Sequence, residues 1–402
     1  MSATIGNSAG ATAIRPYTIP KVPEAELEAL RARIAATRWP TKELVADRSQ
    51  GVQLAMVQEL ARYWTTDYDW RACEARLNAL PQFKTEIDGE DVHFIHVKSR
   101  HADALPLIIT HGWPGSVIEL LGVVGPLTDP AAHGGRAEDA FDLVLPSLPG
   151  YGFSAEPTEV GWDPGRVAQA WAELMRRLGY TGYVAQGGDQ GAAVTDAMGG
   201  QAPGGLLGIH LNFLRQALGN VSGMPADSEE ERAAVAAINT FRTSGFGYFL
   251  EQATRPQTIG YALLDSPVAL AAWMLDHDTD SYYKISRAFL DGRPAGNLTG
   301  DHILDNITLY WLTGTGASAA RSYWEGGQAA AHAVGQAPSE VTLPVGFTTF
   351  PGEIFRAPRS WVEKLYPNVI YFNEADRGGH FAAWEEPQLF SEEIRAGFRS
   401  LR

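Results

Sequence analysis

The sequence predicts an α/β protein: a mostly parallel central sheet with helices on both faces, an inserted helical cap, and a mainly helical N-terminal extension. Three observations carry this. Leu105–Thr110 and Phe141–Leu145 are short, nearly continuous apolar runs, as strands covered on both faces require. A helical stripe between Asp163 and Leu178 and a strand-like run at Tyr183–Ala185 continue the alternation of strand and helix that builds parallel sheets. From about 221 to 335 the strand signal fades, and helical patterns such as Val268–Leu275 and Leu304–Leu312 take over before strand character returns. The expected division is 1–100 for the N-terminal region, 101–220 for the first part of the core, 221–335 for the cap and 336–402 for the second part of the core.

Each element has its own signal. Residues 1–14 are small and polar and are expected to be disordered. After Ile19-Pro20-Lys21-Val22-Pro23, Leu27, Leu30 and Ile34 fall on one helical stripe that ends before Trp39-Pro40. Further helices are expected around 52–64 and 70–80. Phe83 to Val97 alternates about Asp88-Gly89, which predicts a hairpin. The helix after Asp163 has an N-cap, a proline in its first turn, Val167, Trp171, Leu174, Met175 and Leu178 as its buried stripe, and Gly179 as its stop. Strands are expected again at Val341–Val345 and Asn368–Phe372, and Gly326–Gln336 is the best linker candidate.

Bulk properties exclude several classes. The chain has 402 residues, 45% of them hydrophobic, enough for a sizeable core. A formal charge of −15 argues against general affinity for nucleic acid or an anionic membrane. No apolar stretch is long enough to span a bilayer. Met1–Asn7 lacks the basic and apolar regions of a signal peptide. The single cysteine, Cys73, cannot form an internal disulfide and fits a reducing cytoplasm. No Cys-rich or His-Glu-x-x-His metal pattern occurs, so no metal is expected.

The segment Gln186-Gly187-Gly188-Asp189-Gln190-Gly191 carries the chemistry. A buried strand before it and a helix opener after it provide the strand–turn–helix context of a nucleophile elbow. The elbow residue is an aspartate, already ionised near neutral pH, where serine would need a base to activate it. A carboxylate suits displacement at a saturated carbon, leaving an ester that water must cleave. Taken alone, the hexapeptide also fits a glycine-rich turn with a capping aspartate.

Other loops follow predicted strands. His111-Gly112-Trp113-Pro114-Gly115-Ser116 could aim backbone N–H groups into a pocket, making the amides of Trp113 and Gln190 the oxyanion donors. His380, in Arg377-Gly378-Gly379-His380-Phe381, sits where the chain order nucleophile, acid, histidine expects the base. Glu353, in Phe350-Pro351-Gly352-Glu353, is the candidate acid behind it, with Glu374 and Asp376 as competitors. Pro149–Ser154 is assigned no catalytic role.

Together these motifs resemble the microsomal-type epoxide hydrolases of the α/β-hydrolase superfamily, over most of the chain from about Pro16. His111–Ser116, Gly150–Ser154, Gly187–Gly191, Thr254–Thr258, Asp265–Val268 and Arg377–Ala383 match in order. The resemblance implies an N-terminal epoxide-hydrolase region and an α/β-hydrolase core. It also implies Asp189 as nucleophile, His380 with Glu353 as the water-activating pair, and no cofactor. Two cap tyrosines that hydrogen-bond the epoxide oxygen carry over to Tyr248, before Gln252-Ala253-Thr254-Arg255-Pro256, and to Tyr323, after Gly314-Thr315-Gly316 and Arg321. Gln190 departs from the apolar residue common in relatives, though only its amide is needed. Phe246, Phe249, Trp273 and Tyr282 are expected to line the pocket, with Tyr261, Tyr283 and Tyr310 as packing or lining residues. The implied partner is a small-molecule epoxide, with no nucleic acid or membrane partner, and a homodimer through the N-terminal region is a further expectation. A haloalkane dehalogenase would share Asp189 but would want an indole where Gln190 stands. An esterase would want serine there. A non-catalytic binder would not need Asp189, Glu353 and His380 together.

Overall fold

A computed structural model describes residues 12–332 and 340–402. The strands are β1 (Arg15–Tyr17), β2 (Gln82–Ile87), β3 (Glu90–Val97), β4 (Leu105–Thr110), β5 (Phe141–Pro146), β6 (Tyr183–Gly187), β7 (Leu206–Leu211), β8 (Val345–Thr349) and β9 (Val369–Glu374). They form one sheet in the order β1-β2-β3-β5-β4-β6-β7-β8-β9. The first four in that order pair antiparallel, and all pairings from β5 through β9 are parallel. Every residue of β6 and β8 is buried, and the apolar runs are buried over Leu107–Thr110 of β4 and Leu143–Pro146 of β5, as strands covered on both faces require. The β2–β3 hairpin turns at Asp88 and Gly89, with φ of 54° and 88°, the left-handed pair that a two-residue turn needs.

The principal helices are α1 (Glu24–Ala35), α2 (Leu54–Thr66), α3 (Trp70–Asn78), α4 (Pro164–Arg177), α5 (Asp189–Gln201), α6 (Glu229–Ser244), α7 (Gly247–Thr254), α8 (Pro256–Asp265), α9 (Pro267–Leu275), α10 (Thr279–Leu290), α11 (Gly300–Thr313) and α12 (Gly316–His332). Helix α1 buries Leu27, Leu30 and Ile34. Asp163 caps α4 by accepting from the amides of Gly165 and Arg166, and α4 buries Val167, Trp171, Leu174 and Met175. Each such side chain contributes about 1.5–3 kcal/mol of burial. Trp171 also donates from Nε1 to Thr110 Oγ1 at 3.0 Å, tying the helix to the end of β4.

Helices α6–α12 lie between β7 and β8 in the chain. The N-terminal helices hold α11: Trp64 Nε1 donates to Thr308 Oγ1 (2.9 Å), Tyr68 Oη donates to Asp305 Oδ1 (2.9 Å), and Arg76 pairs with the same buried Asp305. No helix among the described residues is long and apolar enough to cross a membrane.

Several sequence expectations are corrected. Residues 1–11 of the stretch expected to be disordered lie outside the described residues, but Thr12–Ile14 are placed, with the Thr12 carbonyl accepting from Thr85 Oγ1 at 3.0 Å. The strand expected at Val341–Val345 begins only at Val345, because Pro344 has no N–H to give a ladder. The linker expected at 326–336 is helical through His332, since its alanines extend α12; 333–336 lie outside the described residues. The N-terminal region has the three expected helices and the expected hairpin, and β1–β3 join the central sheet across the boundary proposed at residue 100.

Candidate active site

The site is built where β6 turns into α5. Asp189 is the first residue of α5 and has φ of 47°, a left-handed conformation costing about 1–3 kcal/mol for a residue with a side chain. The turn is tight enough to forbid bulk on either side. A Cβ at Gly187 would strike the Gly191 carbonyl, and one at Gly191 would strike the carbonyl of Thr110. The strain aims the carboxylate out of the sheet toward the helical insertion.

Asp189 Oδ1 accepts from the Trp113 amide at 2.8 Å. Its Oδ2 faces His380 Nε2 at 3.3 Å, and His380 Nδ1 lies 2.5 Å from Glu353 Oε1. The Gln190 amide, second in α5, has no intrahelical acceptor. His380 and Glu353 are buried. Burial alone would lower the His380 pKa, but the facing carboxylates of Glu353 and Asp189 outweigh it and raise the pKa well above the imidazole range. Burial likewise opposes ionisation of Asp189, yet the facing imidazoles hold its pKa well below the usual carboxylate value.

Tyr248 on α7 and Tyr323 on α12 close over this centre. The Trp113 ring stacks on Tyr248 (centroids 5.0 Å, 21°) and meets Tyr323 edge-on at 5.8 Å. Both tyrosines are buried, and Tyr323 Oη has no hydrogen-bond partner. Burial, reinforced by the charge on Asp189, raises both phenol pKa values well above 10. Phe249 packs edge-on against Tyr323 at 5.3 Å, and Phe246 stacks on Phe249 at 4.3 Å. Two expected lining residues have other contacts: Trp273 Nε1 donates to Gln252 Oε1, while the Tyr282 hydroxyl accepts from the Gln53 amide beneath Arg48. The competitors for the acid are engaged elsewhere on the surface, Glu374 with Arg356 and Asp376 with Arg377.

Sequence reasoning missed the residues that brace the oxyanion loop. On α11, Tyr310 Oη donates to the Gly115 carbonyl (2.6 Å) and Asn306 Nδ2 donates to that of Pro114 (2.7 Å). His111 bridges two loops, its Nε2 accepting from the Leu148 amide at 3.1 Å, and burial lowers its pKa to about 4. The Pro149–Ser154 loop supports α12: Tyr151 Oη contacts Ser322 Oγ at 2.7 Å, and Ser318 Oγ donates to the Gly150 carbonyl. Sharp loops leave carbonyls needing donors, which is a signal of demand but not of where the donors come from.

Glu119 was also missed. It is buried near the nucleophile, and its Oε2 has no partner. Burial, with Asp189 adding to it, raises its pKa from 4.5 to about 8. The native protein therefore keeps a proton that the unfolded chain releases from about pH 4.5 upward, and native stability falls between that pH and about 8. Glu119→Gln should remove this slope. Chemical denaturation at about pH 5 and about pH 8 should show the variant gaining on the parent as pH rises; parallel curves would disprove the assignment.

Asp189, His277 and His380 bring one ligand-type atom each within 4.8 Å of one another, close enough for a metal ion. That carboxylate is the candidate nucleophile.

Residues 14–120 match the family model described as the epoxide hydrolase N terminus. The chain is 53% identical to a Stigmatella aurantiaca protein described as a candidate epoxide hydrolase, over 97% of this chain and 86% of that protein. It is 36% identical to epoxide hydrolase 1 of Sus scrofa, over 95% of this chain and 88% of the relative. The chain belongs to the epoxide hydrolase family. Among solved structures, the juvenile hormone epoxide hydrolase of the silkworm Bombyx mori matches with a TM-score of 0.84 at 28% identity, covering 97% of this chain and 96% of that one. The Aspergillus niger epoxide hydrolase matches with a TM-score of 0.80 at 30% identity, covering 98% and 97%. The fold is therefore the α/β-hydrolase fold of these epoxide hydrolases.

Proposed function

We propose that this protein converts an epoxide and water to a vicinal diol through an ester on Asp189. The observation that carries the reading is the Asp189 carboxylate, held by the Trp113 amide on one oxygen and facing the buried His380–Glu353 pair with the other. Tyr248 and Tyr323 donate to the epoxide oxygen while Asp189 Oδ2 attacks the ring carbon, so positioning and acid assistance act in one step. The carbon–oxygen bond of the ring breaks, and its oxygen takes a tyrosine proton. Water then attacks Asp189 Cγ as His380 Nε2 takes its proton, and the developing oxyanion rests on the amides of Trp113 and Gln190. No cofactor enters this scheme. Phe246 and Phe249, stacked behind Tyr323, favour apolar and aryl epoxides. Trp273 is read as outer lining, and Tyr282, whose hydroxyl meets Gln53, as part of the seam with the N-terminal helices.

We read residues 221–335 as the cap, inserted between core segments 101–220 and 336–402, with 1–100 as the N-terminal region. The single buried cysteine suits cytoplasmic residence. A homodimer through the N-terminal region is the reading of assembly, which light scattering tests.

One turnover of excess enzyme in heavy-oxygen water tests the covalent route. The diol should emerge unlabelled, with the label in the Asp189 carboxylate. Label passing directly into the diol would sink the reading. A haloalkane dehalogenase would instead release halide from a haloalkane.

A further inference from the structure

A second histidine–acid pair faces the nucleophile. Just past α9, Asp278 caps α10 with Oδ1, which accepts from the Ser281 amide at 2.8 Å. Its other oxygen lies 3.0 Å from His277 Nδ1. The carboxyl of Asp278 stays ionised because, against its burial, it faces the His277 imidazole. His277 Nδ1 is thus the nitrogen bonded to Asp278, and Nε2 is the nitrogen turned toward the site.

His277 is only 2% exposed, and its ring packs on those of His380 (4.5 Å), Tyr248 (4.9 Å) and Phe381 (5.4 Å). Its Nε2 is buried with no hydrogen-bond partner and lies 3.8 Å from Asp189 Oδ2. This repeats the His380 arrangement, with a carboxylate behind Nδ1 and Nε2 turned toward the same oxygen. Buried His93 pairs both nitrogens, with Gln82 and Ser147 at 2.9 Å each, whereas buried His210 pairs one with Thr348 and leaves Nδ1 without a partner. What sets His277 apart is the direction of its unpaired nitrogen, turned toward the nucleophile rather than into the core, and a proton-transfer role accounts for its desolvation cost. Asp278 alone is explained as a cap, but its second oxygen is not.

We propose that His277, backed by Asp278, is a second base for hydrolysis of the ester on Asp189. The inference rests on the covalent reading above. Two protons must move in that half-reaction, and each imidazole takes one. Water donates an O–H to each Nε2, and its oxygen bonds to Asp189 Cγ as the first proton passes to His380. The tetrahedral centre collapses by breaking the bond from Cγ to the former Oδ2, which takes that proton from His380 and leaves with the substrate as a diol hydroxyl. The regenerated carboxylic acid gives its proton to His277, which returns it to the tyrosine oxygen deprotonated during ring opening. Protons balance over the cycle, and no oxidant or reductant is required.

The test is rapid mixing of excess enzyme with styrene oxide, followed by acid quench and intact-mass measurement of the ester over time. His277→Gln should slow ester decay about tenfold while changing the alkylation rate less than about twofold. The double variant His277→Gln/His380→Gln should hold its ester at least about tenfold longer than His380→Gln alone. Asp278→Asn retains a capping oxygen while removing the charge behind His277, so it should slow ester decay without unfolding α10. Ester decay unchanged in His277→Gln, or a double variant no slower than His380→Gln, overturns the proposal. So does an equal fall in alkylation and hydrolysis, which would mark a packing residue. Failure of the parent to form any ester would overturn the covalent reading itself.

Discussion

His380→Gln is expected to convert the protein into one that alkylates once and then stalls. Its first half-reaction needs only the Asp189 carboxylate and the two tyrosines, and none of these is changed. Its second needs a proton taken from water, and general-base assistance of this kind contributes about 10²–10⁴-fold. Glutamine can still donate to Glu353, so the buried carboxyl keeps a partner and the variant should fold. Intact-mass measurement should show the protein heavier by one substrate molecule. If turnover falls and no adduct is seen, His380 acts before the ester forms and the covalent route is wrong.

Replacing both cap tyrosines by phenylalanine should stop the reaction one step earlier. Ring opening leaves an alkoxide, and without a donor it must form unaided in a site lined by Trp113, Phe249 and Phe381. Either Tyr248→Phe or Tyr323→Phe should slow alkylation about 10²-fold, and the pair should cost about 10⁴-fold. No ester should then accumulate even in the His380→Gln background. An adduct formed at the parent rate in the double tyrosine variant would remove both residues from the chemistry. Because burial and the charge on Asp189 hold both phenols neutral past pH 10, loss of activity at moderately alkaline pH should not come from them.

Much of this site was legible in the sequence because its chemistry imposes spacing. Gly187 and Gly191 are two residues either side of Asp189 since the chain crosses itself there, and that crossing leaves no room for a Cβ. Glu353 and His380 each follow a core strand, so the order of strands orders the candidate catalytic groups. What was not legible depends on packing between distant segments. Tyr310 and Asn306 reach the oxyanion loop from nearly 200 positions away, and no local pattern announces a donor to a carbonyl. His277-Asp278 reads in sequence as the polar start of a helix, and the cap at Ser281 is indeed there. Only the fold turns the spare oxygen and ring inward. Tyr282 was misleading for the converse reason: an aromatic residue in a cap can serve the seam with the N-terminal helices as readily as a pocket, and its hydroxyl is bonded to Gln53.

Placing His380 between two carboxylates also supplies a clock. In the resting protein both anions keep the ring cationic, which favours holding Asp189 ready and disfavours premature attack by water. On the proposed route, alkylation neutralises one of those anions, and the proton affinity of the ring drops with Glu353 alone left to support it. The ring then yields its proton to solvent, regaining it when the Asp189 carboxylate is restored. The base is switched on by the product of the step that must precede it, so the order of events is written into the charge count rather than into any moving part.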